Sequence, residues 1–211
     1  MEILVSRVQR RIEGGEWERL VNKLSAEMRA DVERFRKWQD RHLALAGKLL
    51  IAKALELVGR DPEEIRLVKT NEFGRPFISG NFDFNLSHSG QIAVCAISST
   101  CRLGVDVEIV RDVDISGFER YFSADEMESV KKAQDPLARF FRIWTMKESA
   151  IKADGRGLSI PLEEVRLMDG AARIHGKLWY ITPVSVGEGH ICHAAFDRHG
   201  EPVIVKQAQI F

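Results

Sequence analysis

The chain has 211 residues, 45% of them hydrophobic and 29% charged, which fits one large or two small globular domains and excludes a disordered chain. Its 31 Lys+Arg balance 31 Asp+Glu, which argues against bulk electrostatic capture of nucleic acid or of an anionic membrane. No apolar run reaches the roughly 20 residues of a membrane helix, Met1–Arg7 lacks a basic-then-apolar leader, and Cys95, Cys101 and Cys192 have no metal-ligand spacing and cannot all pair, so a reduced, cytoplasmic setting is expected.

In chain order, Ile3 to Val8 predicts a short strand. Apolar residues from Phe35 to Leu57 fall on a helical stripe within residues 31–58, which Gly59 and Asp61-Pro62 bring to an end. Ile65 to Val68 alternates as a strand, and Asn71 to Pro76 predicts a turn. Strands follow at Phe82 to Leu86, Gln91 to Ser98 and Leu103 to Val110. In the last of these, period-two alternation puts Asp106 and Glu108 on one face. Ser123-Ala124-Asp125-Glu126 matches a capping box and starts a helix near Ala124. Asp135-Pro136 starts another, which runs to Gly155. Strands are then expected at Glu164 to Met168, Lys177 to Thr182, His190 to Phe196 and Val203 to Gln207. The small, apolar texture of Gln91–Ile97 returns in His190–Phe196. That suits two similar halves, although two ordinary buried strands account for it more simply.

Each chemical signal has a plain reading beside the functional one. Asp106 and Glu108 form either a solvated strand face or oxygen ligands for a hard cation such as Mg²⁺ or Mn²⁺. Glu148 and Lys152 stand four apart on one helix face, as an ordinary ion pair or as a third carboxylate with a cation beside it. Asn85-Leu86-Ser87-His88-Ser89-Gly90 lies between two strand candidates, as a turn or as a hydroxyl and imidazole that grip a phosphate. A Ser/His nucleophile is disfavoured there, because no G-x-S-x-G elbow is present.

Their order narrows the choice. Phe73-Gly74-Arg75-Pro76, Asn85–Gly90, Gly104-Val105-Asp106-Val107-Glu108, Trp144–Lys152 and Gly155-Arg156-Gly157-Leu158 together resemble the 4′-phosphopantetheinyl transferase family, in its Sfp-type branch. The resemblance implies a monomeric α+β fold of two similar α/β halves related by a pseudo-twofold. Each half would carry a small sheet and packed helices, and the halves, residues 1–101 and 102–211, would meet at the active site. It implies transfer of 4′-phosphopantetheine from coenzyme A to a serine of an acyl or peptidyl carrier protein, with release of adenosine 3′,5′-bisphosphate. Carriers of fatty-acid, polyketide and nonribosomal-peptide assembly form the substrate class. By the resemblance, Asp106, Glu108 and Glu148 hold Mg²⁺, or Mn²⁺ in its place. Ser87 and His88 contact phosphate, Arg75 lies near the nucleotide phosphates, and Lys152 contacts the pyrophosphate. The proton acceptor is Glu148 or a water on the metal. The grip on the 3′-phosphate falls among Arg34, Arg36, Lys37, Arg41 and Lys48, and Lys147 has no assigned role. Phe118 to Met127 reads as core, with a carrier-docking surface as the alternative. Two other functions compete: a non-catalytic coenzyme A or carrier-binding module, and a Mg²⁺-dependent pyrophosphate hydrolase.

Overall fold

The computed structural model describes residues 1–211, the side chain of Leu158 excepted. The first half runs β1 (Glu2–Arg7), α1 (Gly14–Val21), α2 (Ala26–Glu33), α3 (Trp38–Leu57), a 3₁₀ turn Pro62–Leu67, β2 (Lys69–Thr70), β3 (Pro76–Phe77), β4 (Asp83–Ser89) and β5 (Ile92–Ser98). The second runs β6 (Leu103–Ile109), a 3₁₀ helix Ile115–Tyr121, α4 (Ala124–Lys131), α5 (Pro136–Asp154), β7 (Arg166–Met168), β8 (Ala171–Ile174), β9 (Lys177–Pro183), β10 (His190–Phe196) and β11 (Ile204–Gln207).

The helix ends follow local chemistry. Ser123 accepts from Glu126 N–H while the Glu126 carboxylate accepts from Ser123 N–H, so α4 opens on a complete capping box. Asp135 caps α5 through Ala138 N–H with Pro136 at its first turn, and Gly155 closes it in the left-handed region at φ 90°. In place of the expected strand at Ile65 to Val68 the chain forms a 3₁₀ turn: Asp61 caps it by accepting from Glu63 N–H, and Ile65 alone is buried, so the alternation there does not mark a sheet face.

Two sheets form. One has the order β11-β1-β5-β4 and the other β6-β10-β9-β8-β7, both antiparallel except that β11 runs parallel to β1. The inner faces of the two sheets share a core of Ile3, Val5, Ile92 and Val94 from the first and Val105, Val107, Cys192 and Ala194 from the second. The 20-residue α3 covers the outer face of the first sheet through Leu45, Leu50 and Leu55 against Ala93, Cys95 and Ile97. The 19-residue α5 covers the second through Ala150 and Ile151 against Ala172, Trp179 and Ala195. The fold is therefore α+β in two halves, each a sheet backed by one long helix. The last strand crosses back: β11 pairs with β1, and Ala208, Ile210 and Phe211 pack on the first half's core.

A cavity at the junction of the halves

β4 and β6 are the facing edge strands of the two sheets, and side chains join them. Alternate β4 residues each accept from a β6 backbone N–H 20 residues further on: Asp83 from Leu103 at 2.9 Å, Asn85 from Val105 at 2.9 Å, Ser87 from Val107 at 3.2 Å and Ser89 from Ile109 at 3.1 Å. An unpaired edge of β6 is thereby satisfied without a backbone ladder. Along β6, Leu103, Val105 and Val107 face the shared core, while Asp106 and Glu108 face a cavity of about 440 Å³.

That cavity is walled by both halves. Arg34, Phe35, Gly47, Lys48, Ser87 and His88 come from the first; Asp106, Glu108, Trp144, Glu148 and Lys152 come from the second. Gly104 lets α5 lie against β6, because a Cβ there would sit 2.2 Å from Ser149 O and 2.3 Å from Ala153 N. This close approach brings Glu148 and Lys152 over Asp106.

The hydrogen bonds decide between the readings of Lys152. Its Nζ lies 2.6 Å from Asp106 Oδ1 and donates to Ser87 Oγ at 3.0 Å, so the lysine crosses to β6 and β4 instead of closing an ion pair with Glu148. Burial works against the Lys152 ammonium, but Asp106, Glu148 and Glu108 outweigh it and raise its pKa. Burial, followed by the Asp106 charge, raises the pKa of Glu148; burial is also the main cause of the upward shift at Glu108, where Asp106 adds to it and the Ser89 hydrogen bond opposes it. Desolvation and the Lys152 charge lower the pKa of His88.

Ser87 and His88 lie within β4, not in a turn, and adjacent strand residues point oppositely. The two-residue spacing of Asp83, Asn85, Ser87 and Ser89 on the β6 side is the alternation of a strand, whereas Gly90 and the polar residues favour a loop by propensity. Ser87 reaches Asp106 at 3.0 Å, and the His88 ring lies against α3, 3.9 Å from where a Gly47 Cβ would stand. Arg75 is not part of the cavity lining. Its guanidinium grips Asp83 in a fork of two 2.8 Å bonds and donates to the carbonyls of Lys152 at 3.0 Å and Leu103 at 2.8 Å. It ties the turn before β3 to β4, β6 and α5, which gives it a structural use. Of the basic candidates for a phosphate grip, Arg34 and Lys48 line the cavity, with Lys48 held 3.1 Å from Asp31. Arg41 instead donates to Phe35 O.

Lys147, the neighbour of Glu148, turns away from the cavity and is 1% exposed. Its ammonium donates to Tyr121 O at 3.0 Å and Leu162 O at 3.2 Å and pairs with Glu126 at 2.7 Å, which uses all of its protons. It anchors the segment Ile115–Phe122, whose Phe118, Tyr121 and Phe122 rings pack on Trp144. Phe122 and Met127 are buried, so the core reading holds at those positions.

The donor set suits a hard cation. Asp106 Oδ2 is buried and has no hydrogen-bond partner among the described residues, and an unpartnered carboxylate oxygen is costly unless a ligand takes it up. Asp106, Glu108 and Glu148 line the same cavity, although among the described residues no three such side chains converge at ligating separation.

An α+β protein whose two halves meet at a cavity lined by Asp106, Glu108, Glu148, Lys152 and His88 is the class that fold and cavity define. Comparison with known proteins makes it specific. Residues 12–100 match a model described as 4′-phosphopantetheinyl transferase, N-terminal, and residues 102–187 match one described as the 4′-phosphopantetheinyl transferase superfamily. The 4′-phosphopantetheinyl transferase gsp of Aneurinibacillus migulanus is 37% identical over 164 residues, covering 77% of this chain and 69% of that protein. The 4′-phosphopantetheinyl transferase Sfp of Bacillus subtilis (strain 168) is 35% identical over 165 residues, covering 74% and 73%. An L-aminoadipate-semialdehyde dehydrogenase-phosphopantetheinyl transferase of Xenopus laevis is 30% identical over 167 residues, covering 71% and 55%. The chain belongs to the 4′-phosphopantetheinyl transferase superfamily.

Proposed function

We propose that this chain moves the 4′-phosphopantetheine group of coenzyme A onto a serine of an acyl or peptidyl carrier protein and that it needs Mg²⁺ to do so. The observation that carries the reading is the cavity between the halves, where Asp106, Glu108 and Glu148 meet Lys152, Ser87 and His88. Membership in the transferase family supports the same activity. Both walls come from one chain, which suits a monomer. Three buried free thiols suit the cytoplasm, and among the described residues no helix is long and apolar enough to cross a membrane.

The reaction is a displacement at phosphorus. The carrier serine Oγ forms a bond to the phosphorus that bears pantetheine, and the P–O bond to adenosine 3′,5′-bisphosphate breaks. The serine proton passes to a base, and negative charge builds on the leaving oxygen. Lys152 supplies a fixed cation to those oxygens, and His88 lines the same cavity as a hydrogen-bond partner for phosphate. The Ser87 hydroxyl, with its proton on Asp106 and its lone pairs taken by Val107 N–H and Lys152, holds the lysine in place instead of touching phosphate. Arg34 and Lys48 offer positive charge further along the cavity, where the 3′-phosphate would lie. Glu148 is the carboxylate proposed to take the serine proton, since burial and Asp106 raise its affinity for one. Asp106, Glu108 and Glu148 would hold Mg²⁺, which when bound neutralises pyrophosphate charge.

The deciding experiment incubates an apo carrier protein with coenzyme A, Mg²⁺ and the chain, followed by intact-protein mass spectrometry. A gain of one phosphopantetheine on the carrier serine is expected, together with its absence for Asp106→Ala. Release of free 4′-phosphopantetheine without carrier labelling would instead establish the hydrolase, and coenzyme A binding with neither product would establish the binding module.

A further inference from the structure

The link between β4 and β6 does more than join the halves. A serine hydroxyl has one proton and two lone pairs. Ser89 Oγ accepts from Ile109 N–H at 3.1 Å, and that bond fixes the side from which its lone pair is used. Its single proton is then directed at Glu108 Oε2, 2.6 Å away. This length is in the short range of hydroxyl-to-carboxylate bonds, which are stronger than neutral ones. One step along both strands the arrangement repeats. Ser87 Oγ accepts from Val107 N–H at 3.2 Å and donates to Asp106 Oδ1 at 3.0 Å. In each case one serine of the first half bridges a carboxylate of the second half and the backbone N–H of the residue that follows it.

The consequence for Glu108 is geometric. A glutamate on a half-exposed strand end has three side-chain torsions to lose before it can serve as a ligand. Held at Oε2, it is fixed across the junction, and Oε1 keeps no hydrogen-bond partner among the described residues. Asp106 needs less help: it is shorter, buried, and also held by Lys152 at 2.6 Å. Ser89 is the one side-chain hydrogen-bond partner of Glu108 among the described residues.

We infer that Ser89 is a positioning residue: by donating to Glu108 Oε2 from the opposite half, it presents the free oxygen of that carboxylate to a divalent cation in the cavity. The inference rests on the reading of Asp106, Glu108 and Glu148 as cation ligands. Groups that orient ligands in this way are commonly worth about 10–100-fold in metal affinity. Removal of the hydroxyl also leaves Ile109 N–H without its acceptor, so stability has to be followed separately from binding.

The test uses Mn²⁺ as the probe, titrated into the full chain with saturating coenzyme A and followed by electron paramagnetic resonance, with thermal melting of each variant alongside. Ser89→Ala is expected to bind Mn²⁺ about 10–100-fold more weakly than the parent, and Ser89→Thr, which keeps the hydroxyl, to return the affinity. Glu108→Gln and Asp106→Asn are the controls for the underlying reading. If both bind Mn²⁺ as the parent does, the carboxylates are not the cation site and that reading fails. If both lose Mn²⁺ but Ser89→Ala retains parental affinity, the carboxylate reading stands and the role of Ser89 is overturned. Should Ser89→Ala melt early, its Mn²⁺ affinity is compared with that of Asn85→Ala, which loses a neighbouring bond of the same kind but touches no carboxylate; equal losses in the two variants would also overturn the role.

Discussion

Asn85 Oδ1 accepts the backbone N–H of Val105 at 2.9 Å, and neither group has water to turn to: Asn85 is 4% exposed and Val105 is fully buried. This bond sits in the middle of the link that sets one half against the other. Replacement by Ala leaves a buried N–H unsatisfied, at about 1–3 kcal/mol. For a chain of this size that is roughly 2–12 °C in melting temperature. Calorimetry checks the shift. A variant that melts with the parent would mean that water or a shifted β6 replaces the bond.

Gly104→Ala should be more damaging than a single methyl suggests. The new Cβ would meet backbone, Ser149 O at 2.2 Å and Ala153 N at 2.3 Å, and backbone cannot swing aside as a side chain can. Helix α5 must lift off β6, at a cost of about 3 kcal/mol or more. Glu148 and Lys152 move with it, so the loss of transfer should exceed what the loss of folded protein explains. Turnover per folded molecule, from melting and activity measured together, is the check.

Much of this was legible in the sequence, and the gaps have physical causes. Asp106 and Glu108 share a face because a strand has period two, and Glu148 and Lys152 share one because a helix has period 3.6. Period alone misled at Ile65 to Val68, where the alternation is too short to tell a strand from a 3₁₀ turn. Partners across the halves have no period. Nothing local says that Lys152 crosses to Asp106, that Arg75 forks onto Asp83, or that Lys147 is buried among carbonyls beside the exposed-looking Glu148. Helices α1 and α2 are short and bury only Leu20, Val21, Met28 and Val32, too little apolar pattern to mark them in advance. The turn read at Asn85–Gly90 failed for a similar reason. Its Asn and Ser residues are turn formers by propensity, and here their side chains serve as acceptors for another strand.

His193 gives the fold a pH dependence of definite sign. Burial, with the Arg142 charge behind it, pushes its pKa down from 6.5 to about 4, and Nδ1 lies 2.7 Å from Thr145 Oγ. The folded state therefore favours the neutral ring more than the unfolded chain does. Its stabilisation is complete above about pH 6.5 and drains as pH falls toward 4, with about 2 kcal/mol lost by pH 5. His193→Gln should lose less stability than the parent between pH 7 and pH 5. Denaturant melts at the two pH values measure the difference, and parallel curves for the two proteins would show that His193 is not the group responsible.

Lys152 is where the binding and transfer readings part. Its ammonium already holds Asp106 Oδ1 and Ser87 Oγ, so it is fixed before any ligand arrives and has little freedom to lose when charge develops beside it. A cation fixed in that way gains most when the pyrophosphate oxygen takes on charge as the P–O bond breaks, and less when coenzyme A merely binds. Lys152→Ala should therefore lower kcat by about 10²-fold while raising KM for coenzyme A by much less. Its fold should survive, since the side chain is 28% exposed and its loss leaves Asp106 with the Ser87 hydroxyl. Steady-state rates across coenzyme A concentration separate the two constants. If kcat stays parental and only KM rises, Lys152 contributes to binding alone, and the stabilising cation has to be sought at Arg34 or Lys48 on the opposite wall.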